Sequence, residues 1–503
     1  MYAYYNICIL NTLEKNALKS NRPSPRRPRP VAKKTHPLPA PLLRTRFSAR
    51  QLLGRFHKLL PLSLIAGWLA LCDKDFYARA FTPLITLWYL IFQRLSPNHP
   101  LSQVVEDALE GGADRLSLPG KPLSQQLRSE ATTSYSDARQ RLPLELCQRT
   151  LWLIAEQTHK ALEIPEKFGL KLGLVDGSTC RLRPFGDIPE HFPPHRPGNC
   201  KKPAYWCLAR VVGVLCWASG VVVHSAMANL KTSEQALTAQ LLSERSWKGW
   251  LLGGDRNFGV YSVARALLAA QAHGLLRLTE VRARRLARSA GLTLKDGLDA
   301  PLDWVPTPHD QCPPGLTRTP VPGRLLALRV HPRGGRSFTL YLFTTLRDPR
   351  RYPASELAQI YGLRWNIELC FRYIKTQMDL GLLECHSAAM VRKEWLAGLI
   401  AYNLIRWTMG AAAALAKVPV QELSFSRARE LLWGWLMRSP LHRGSSRSWK
   451  RLLSRIAKAR LPKRRKPRPS EPRAIRDFRK DVAKLEGSRA AARQQLTKTK
   501  AKS

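Results

Sequence analysis

The stretch from Ala358 to Lys375 holds the residues best suited to chemistry on a phosphodiester. At about 100° per residue, helical offsets bring Tyr361, Arg364, Glu368 and Lys375 within roughly 60° of one another. One carboxylate then shares a stripe with two cations and a phenol. Leu363, Ile367, Leu369, Phe371 and Ile374 flank that stripe, so it borders a buried face. A carboxylate at such an edge can hold a divalent metal, while Arg364 and Lys375 meet phosphates that approach the same metal. The same spacing also describes a solvated face with weak ion pairs, and the spacing alone leaves both readings open.

Tyr-x2-Arg-x3-Glu-x6-Lys stands intact here, and it resembles the signature of DDE transposases of the insertion-sequence-4 type. The runs from Leu380 to Cys385 and onward from Met390 are also similar to the way members of that family continue. The resemblance implies two aspartates upstream. Leu170, Leu172, Leu174 and Val175 read as a buried strand that ends in Asp176, followed by Gly177 and Ser178. Trp250-Leu-Leu-Gly-Gly leads in the same way into Asp255, and Asp255-Arg256 resembles the family's second motif. Without the resemblance, an aspartate closing a strand is either a turn-former or a metal ligand.

The elements that must position these acids follow in order. Residues 205–215 and 220–228 read as a hairpin, 233–245 and 260–273 as helices, and 275–281 as a strand. Strand, hairpin, helix, strand, helix is the order of a ribonuclease-H-like fold, in the α/β class. In that fold two neighbouring parallel strands carry the first and second acids side by side, and a later helix supplies the third. Asp176, Asp255 and Glu368 match the family's order, which implies that they are both the catalytic and the metal-binding residues. Three converging carboxylates repel strongly and call for divalent metal. The expected cofactor is a pair of Mg²⁺ ions, with Mn²⁺ as a substitute. Tyr361, Arg364 and Lys375 are the expected DNA-binding residues.

Residues 168–440 are expected to form this catalytic core, with a β-rich insertion over about 283–353. There the helical period disappears, prolines punctuate the chain, and 324–330 and 337–345 alternate as strands. Trp304 lies in that region and is expected either to pack or to stack on a nucleotide flipped from the DNA, as an insertion Trp does in some relatives. Residues 391–415 read as an amphipathic helix that closes the core.

Residues 47–167 carry a helical pattern with recurring Arg and Lys, as expected of a DNA-binding domain ahead of the core. Before them, 1–46 include Ser24-Pro-Arg-Arg-Pro-Arg-Pro30 and read as a disordered basic arm. After the core, 441–503 run through Lys463-Arg-Arg-Lys-Pro-Arg-Pro to Lys498, Lys500 and Lys502, a basic tail suited to sequence-independent phosphate contact.

Composition supports a nucleic-acid partner. Against 82 Lys and Arg stand 36 Asp and Glu, a formal charge of +46 that needs a polyanion. With 44% hydrophobic residues and 14 Trp, the chain can also bury a core, unlike a histone-like or ribosomal binder. Ten cysteines without a Cys-x-x-Cys pair argue against a zinc ribbon or a secreted disulfide framework and for a cytoplasmic protein. The Pro and Gly around His191, His195 and Cys200 favour a polar loop over a zinc site. Met1 to Leu10 lacks the basic n-region of a secretory signal, and the apolar runs read as core elements, so no membrane partner is expected.

The residues argue for metal-dependent phosphodiester chemistry, and the resemblance implies a nucleoid-associated DNA transposase of bacterial type, which excises and reinserts an insertion sequence through metal-dependent hydrolysis and transesterification. Its expected partners are the terminal inverted repeats, the target DNA and a second copy in a homodimer on paired ends. Two alternatives share parts of the pattern: another ribonuclease-H-like nuclease, or a non-catalytic DNA-binding derivative.

Overall fold

Aliphatic and β-branched runs, buried along most of their length, build a nine-stranded mixed sheet in this α/β chain. The structure is a computed structural model that describes residues 41–59, 67–68, 80–96, 98, 100–117, 121–194, 205–330, 337–438, 445–462, 474–476, 482–484 and 494. The strands are β1 (Lys171–Leu182), β2 (Cys207–Cys216), β3 (Val222–Asn229), β4 (Trp250–Gly254), β5 (His273–Arg277), β6 (Leu298–Trp304), β7 (Val321–Val330), β8 (Phe338–Thr344) and β9 (Leu382–Leu383). Their order is β3-β2-β1-β4-β5-β8-β7-β6, with β9 beside β1. β1, β2 and β3 pair antiparallel, whereas β1, β4 and β5 pair parallel. β6 and β7 pair antiparallel, so the proline-punctuated region extends the same sheet. Pro301 sits in β6, the last strand of that order, where a missing N–H costs no ladder bond on the open side.

Helices Glu234–Ser243 and Tyr261–Ala269 make the crossovers into β4 and β5. The first is capped by Ser233, whose hydroxyl accepts the Ala236 N–H at 3.1 Å. Helix Ala388–Ala416 differs from the amphipathic pattern read in the sequence: it is buried almost all round, with Ala, Leu, Ile and Trp on every face. It is long and apolar enough to cross a membrane, but 83% of its apolar window is buried inside the fold. Its polar side chains grip the β2–β3 turn. Asn403 accepts from the Val222 N–H and donates to the Val222 carbonyl, both at 2.8 Å, and Arg406 Nε donates to the Ser219 carbonyl at 2.7 Å.

Helices Pro83–Leu95, Thr133–Arg141 and Leu144–Ala161 pack on that long helix from the N-terminal side. Glu394 receives Arg94 and Arg139 there, and all three side chains are nearly buried. The described residues within Thr35–Leu328 and Thr339–Leu461 form one compact unit. In the second unit, Ala474–Arg476 pairs antiparallel with Val482–Lys484.

Several expectations are corrected. Residues 446–458, read as part of a basic tail, form a helix whose Trp449, Leu452, Leu453 and Ile456 are buried at three- and four-residue spacing. Residues 280–289, overlapping the stretch read as non-helical, are a helix capped by Thr279. Trp304 is fully buried and meets Phe343 edge-on at 4.9 Å, so of its two expected roles packing is the one observed. The basic arm before residue 41, His195, Cys200, Lys463 to Pro469, Lys498, Lys500 and Lys502 lie outside the described residues.

Candidate active site

The strand register sets the first two acids side by side. β1 pairs with β4 from Lys171↔Trp250 to Val175↔Gly254, so Asp176 and Asp255 are the next residues on two adjacent parallel strands. The sequence suggested that β1 ends at Asp176. It continues to Leu182, because β2 holds this segment from Asp176↔Gly213 to Leu182↔Cys207 and β9 joins at Arg181↔Leu382. Asp176 therefore lies where parallel pairing stops and β1 becomes free on one edge. Its Oδ1 accepts the Gly177 N–H at 2.8 Å, and Asp255 Oδ1 accepts the Asn257 N–H at the same distance.

The motif helix is not the continuous rod implied by its period. Helix Ala354–Gly362 ends, helix Trp365–Arg372 begins beyond Leu363 and Arg364, and Tyr373–Gln377 is a π-turn. Gly362 weakens the first helix, and the Leu363 and Arg364 N–H groups bond three residues back, to Ile360 and Tyr361, at 3.0 Å. The π-turn bonds Met378 N–H to the Tyr373 carbonyl at 3.0 Å. The first break separates Tyr361 from Glu368, and the second carries Lys375, so the four motif residues do not share one unbroken helix. Gly213, opposite Asp176, lies beneath Phe371, at a distance where even a Cβ would meet that ring in ordinary contact at 3.5 Å.

Arg364 becomes the centre of the group. It is buried, with Nη2 3.0 Å from Glu368 Oε1 and Nη1 4.0 Å from Asp176 Oδ2. Its guanidinium also feels the charge of Asp255. Tyr361 is buried beside Arg364 and Arg277; burial pushes its phenol up against the pull of those two cations. Lys375 Nζ donates to Ser178 Oγ at 3.2 Å. Ser178 is two residues beyond Asp176, so it shares a face of β1 with that aspartate, and Lys375 reaches that face.

Electrostatics reflects this crowding. Burial, reinforced by Asp255 and Glu234, pushes the Asp176 carboxyl up to about 6, against the opposing pull of the Gly177 N–H and Arg364. Glu368 is more open, its side chain 47% exposed on the far side of Arg364. No group of three or more His, Cys, Asp or Glu suited to a metal ion stands among the described residues. Asp176 and Glu368 instead share one guanidinium, with Asp255 within its field. The donor set nevertheless suits a hard divalent cation: its donors are carboxylate oxygens, and the two strand aspartates repel each other in a partly buried space.

Sequence reasoning missed Glu234, Asn257 and Arg277 at this site. Glu234 opens a helix and Arg277 ends a strand, positions that usually signify capping and solvation, and neither stands in a motif. Asn257, two residues beyond Asp255, offered the only nearby signal.

Known transposases resemble this chain over much of its length. Residues 167–404 match the family described as Transposase DDE domain. Transposase InsG for insertion sequence element IS4, from Escherichia coli strain K12, is 29% identical over 367 residues, covering 70% of this chain and 75% of that protein. Putative transposase y4zB from Sinorhizobium fredii is 30% identical over 165 residues, which span 32% of this chain and 41% of that protein. The piggyBac transposase synaptic complex with hairpin DNA aligns over 82% of this chain and 85% of that one. Its identity is 13% and its TM-score 0.37.

Proposed function

The chain belongs to the DDE transposases of the insertion-sequence-4 type, and from that premise we propose that it cleaves and joins DNA with Asp176, Asp255 and Glu368 as its catalytic acids. The observation that carries this reading is the strand register, which makes Asp176 and Asp255 neighbours where β1 and β4 part. The order β3-β2-β1-β4-β5, with two antiparallel and then two parallel pairings, supports a ribonuclease-H-like core. Domain limits of 47–167 for DNA recognition and of 168 onward for catalysis, with helix Ser446–Lys458 packed on the core, belong to the same proposal, as does a role in phosphate contact for the basic segments before 47 and after 462.

Asp176, Asp255 and Glu368 would hold two Mg²⁺ ions, or Mn²⁺ in their place, and such ions supply activation of an attacking water or 3′-hydroxyl and charge stabilisation of the departing 3′-oxygen. The protein's own residues do the rest. Arg364 ties Glu368 to Asp176 and keeps a positive charge within the field of Asp255. Lys375, on the Asp176 face of β1, offers its ammonium to a backbone phosphate beside the scissile bond. Tyr361 backs Arg364 from the buried side. The substrates would be the element's terminal inverted repeats and a target duplex, bound by a homodimer on paired ends in the bacterial nucleoid.

The test uses purified protein and a duplex ending in the element's repeat. Asp176→Ala, Asp255→Ala and Glu368→Ala should each abolish Mg²⁺-dependent cleavage while the duplex is still bound. Retained cleavage in any one variant removes that residue from the site.

A further inference from the structure

Glu234 is an acid that the reading above leaves without a task. It opens helix Glu234–Ser243, and its carboxyl lies against Gly177, the residue after Asp176. A Cβ on Gly177 would come within 2.5 Å of Glu234 Cδ and Oε1, so the missing side chain is what admits the carboxyl. On its other side Glu234 Oε2 accepts a hydrogen bond from Asn257 Nδ2. The backbone N–H of Asn257 is the group that orients Asp255, at 2.8 Å. Gln235 Nε2 holds the same asparagine through its side-chain oxygen at 2.6 Å and its carbonyl at 2.8 Å. One carboxylate thus touches the residue next to the first aspartate and the residue that fixes the second.

We infer that Glu234 is a positioning residue, which through Gly177 and Asn257 sets the spacing of Asp176 and Asp255 and so their affinity for a divalent cation. The inference rests on reading those two aspartates as the acids of the site. Arg210, whose charge acts on Glu234, is itself tied to the carbonyls of Leu230 and Thr232, so it balances the charge of Glu234 without drawing the carboxyl away from Gly177. Side chains that orient metal ligands from behind typically change metal affinity about 10- to 100-fold when removed.

Mn²⁺ alone, titrated calorimetrically into the full chain, tests this without DNA or turnover. Glu234→Gln and Asn257→Ala should each weaken Mn²⁺ binding about 10-fold or more, and the double variant should be no weaker than the worse single one. Asn257→Ala matters because it keeps every charge, so weakening there reflects geometry. Thermal melting without metal checks folding, and both positions are open enough to solvent to tolerate the change. Isotherms that superimpose on the parent protein's, or two losses that simply add, overturn the inference. A parent protein that binds no Mn²⁺, or an Asp176→Ala variant that binds it equally well, instead overturns the site reading and the inference with it.

Discussion

Asp176→Asn turns the electrostatics of the site into a stability measurement. The Asp176 side chain is 21% exposed, and its carboxyl is raised from 3.8 to about 6, first by burial and then by Asp255 and Glu234. A carboxyl raised on folding favours the neutral form. Its contribution is therefore complete below pH 3.8 and is lost as pH rises through about 6. The difference corresponds to about 3 kcal/mol as an upper figure. Urea unfolding in a chelator at pH 4 and at pH 7 should show the parent protein losing up to that amount relative to Asp176→Asn. Asp107, also raised to about 6 by burial, and His159, lowered to about 4 by burial, titrate equally in both proteins and cancel in the comparison. Adding Mg²⁺ at pH 7 should restore part of the loss in the parent and none in the variant. Parallel stability curves across this pH range would refute the claim that burial raises the Asp176 carboxyl.

Three further outcomes are expected. Glu394→Ala leaves Arg94 and Arg139 without their shared carboxylate in a nearly dry place; urea unfolding at neutral pH should show a loss of about 3–5 kcal/mol. Lys375→Ala should slow cleavage and lower the slope of log binding constant against log salt by about one, measured by fluorescence anisotropy on the end duplex. Trp304→Ala should destabilise the chain by about 3–5 kcal/mol, while Trp304→Phe should cleave at the parent rate; slower cleavage by a well-folded Trp304→Phe would restore a nucleotide-stacking role.

Much of the arrangement was legible in the chain, and the reasons are physical. Buried strands with parallel partners read as continuous aliphatic runs, which is why the neighbourhoods of Asp176 and Asp255 stood out. A four-residue motif located the segment carrying Glu368. Periodicity failed where it assumes an unbroken helix, since a glycine after Tyr361 and a π-turn at Tyr373 reset the phase without altering the residue types. It also failed at residues 446–458, where a basic composition masks the apolar stripe of Trp449, Leu452, Leu453 and Ile456. Arg364 was legible as a cation near an acid. Its place between Glu368 and Asp176 depends on contacts across nearly two hundred residues of chain, which no local pattern encodes.

Helix Ala388–Ala416 has a practical consequence for anyone who wishes to divide this protein. Its apolar circumference is shared among the sheet on one side and the helices Pro83–Leu95, Leu144–Ala161 and Ser446–Lys458 on others. A fragment beginning at residue 168 would leave a stripe of Leu, Ile and Trp facing water, together with a stranded Glu394. Such a piece is expected to aggregate, whereas co-expression with residues 41–167 as a separate polypeptide should rescue it, because the two share one apolar interior.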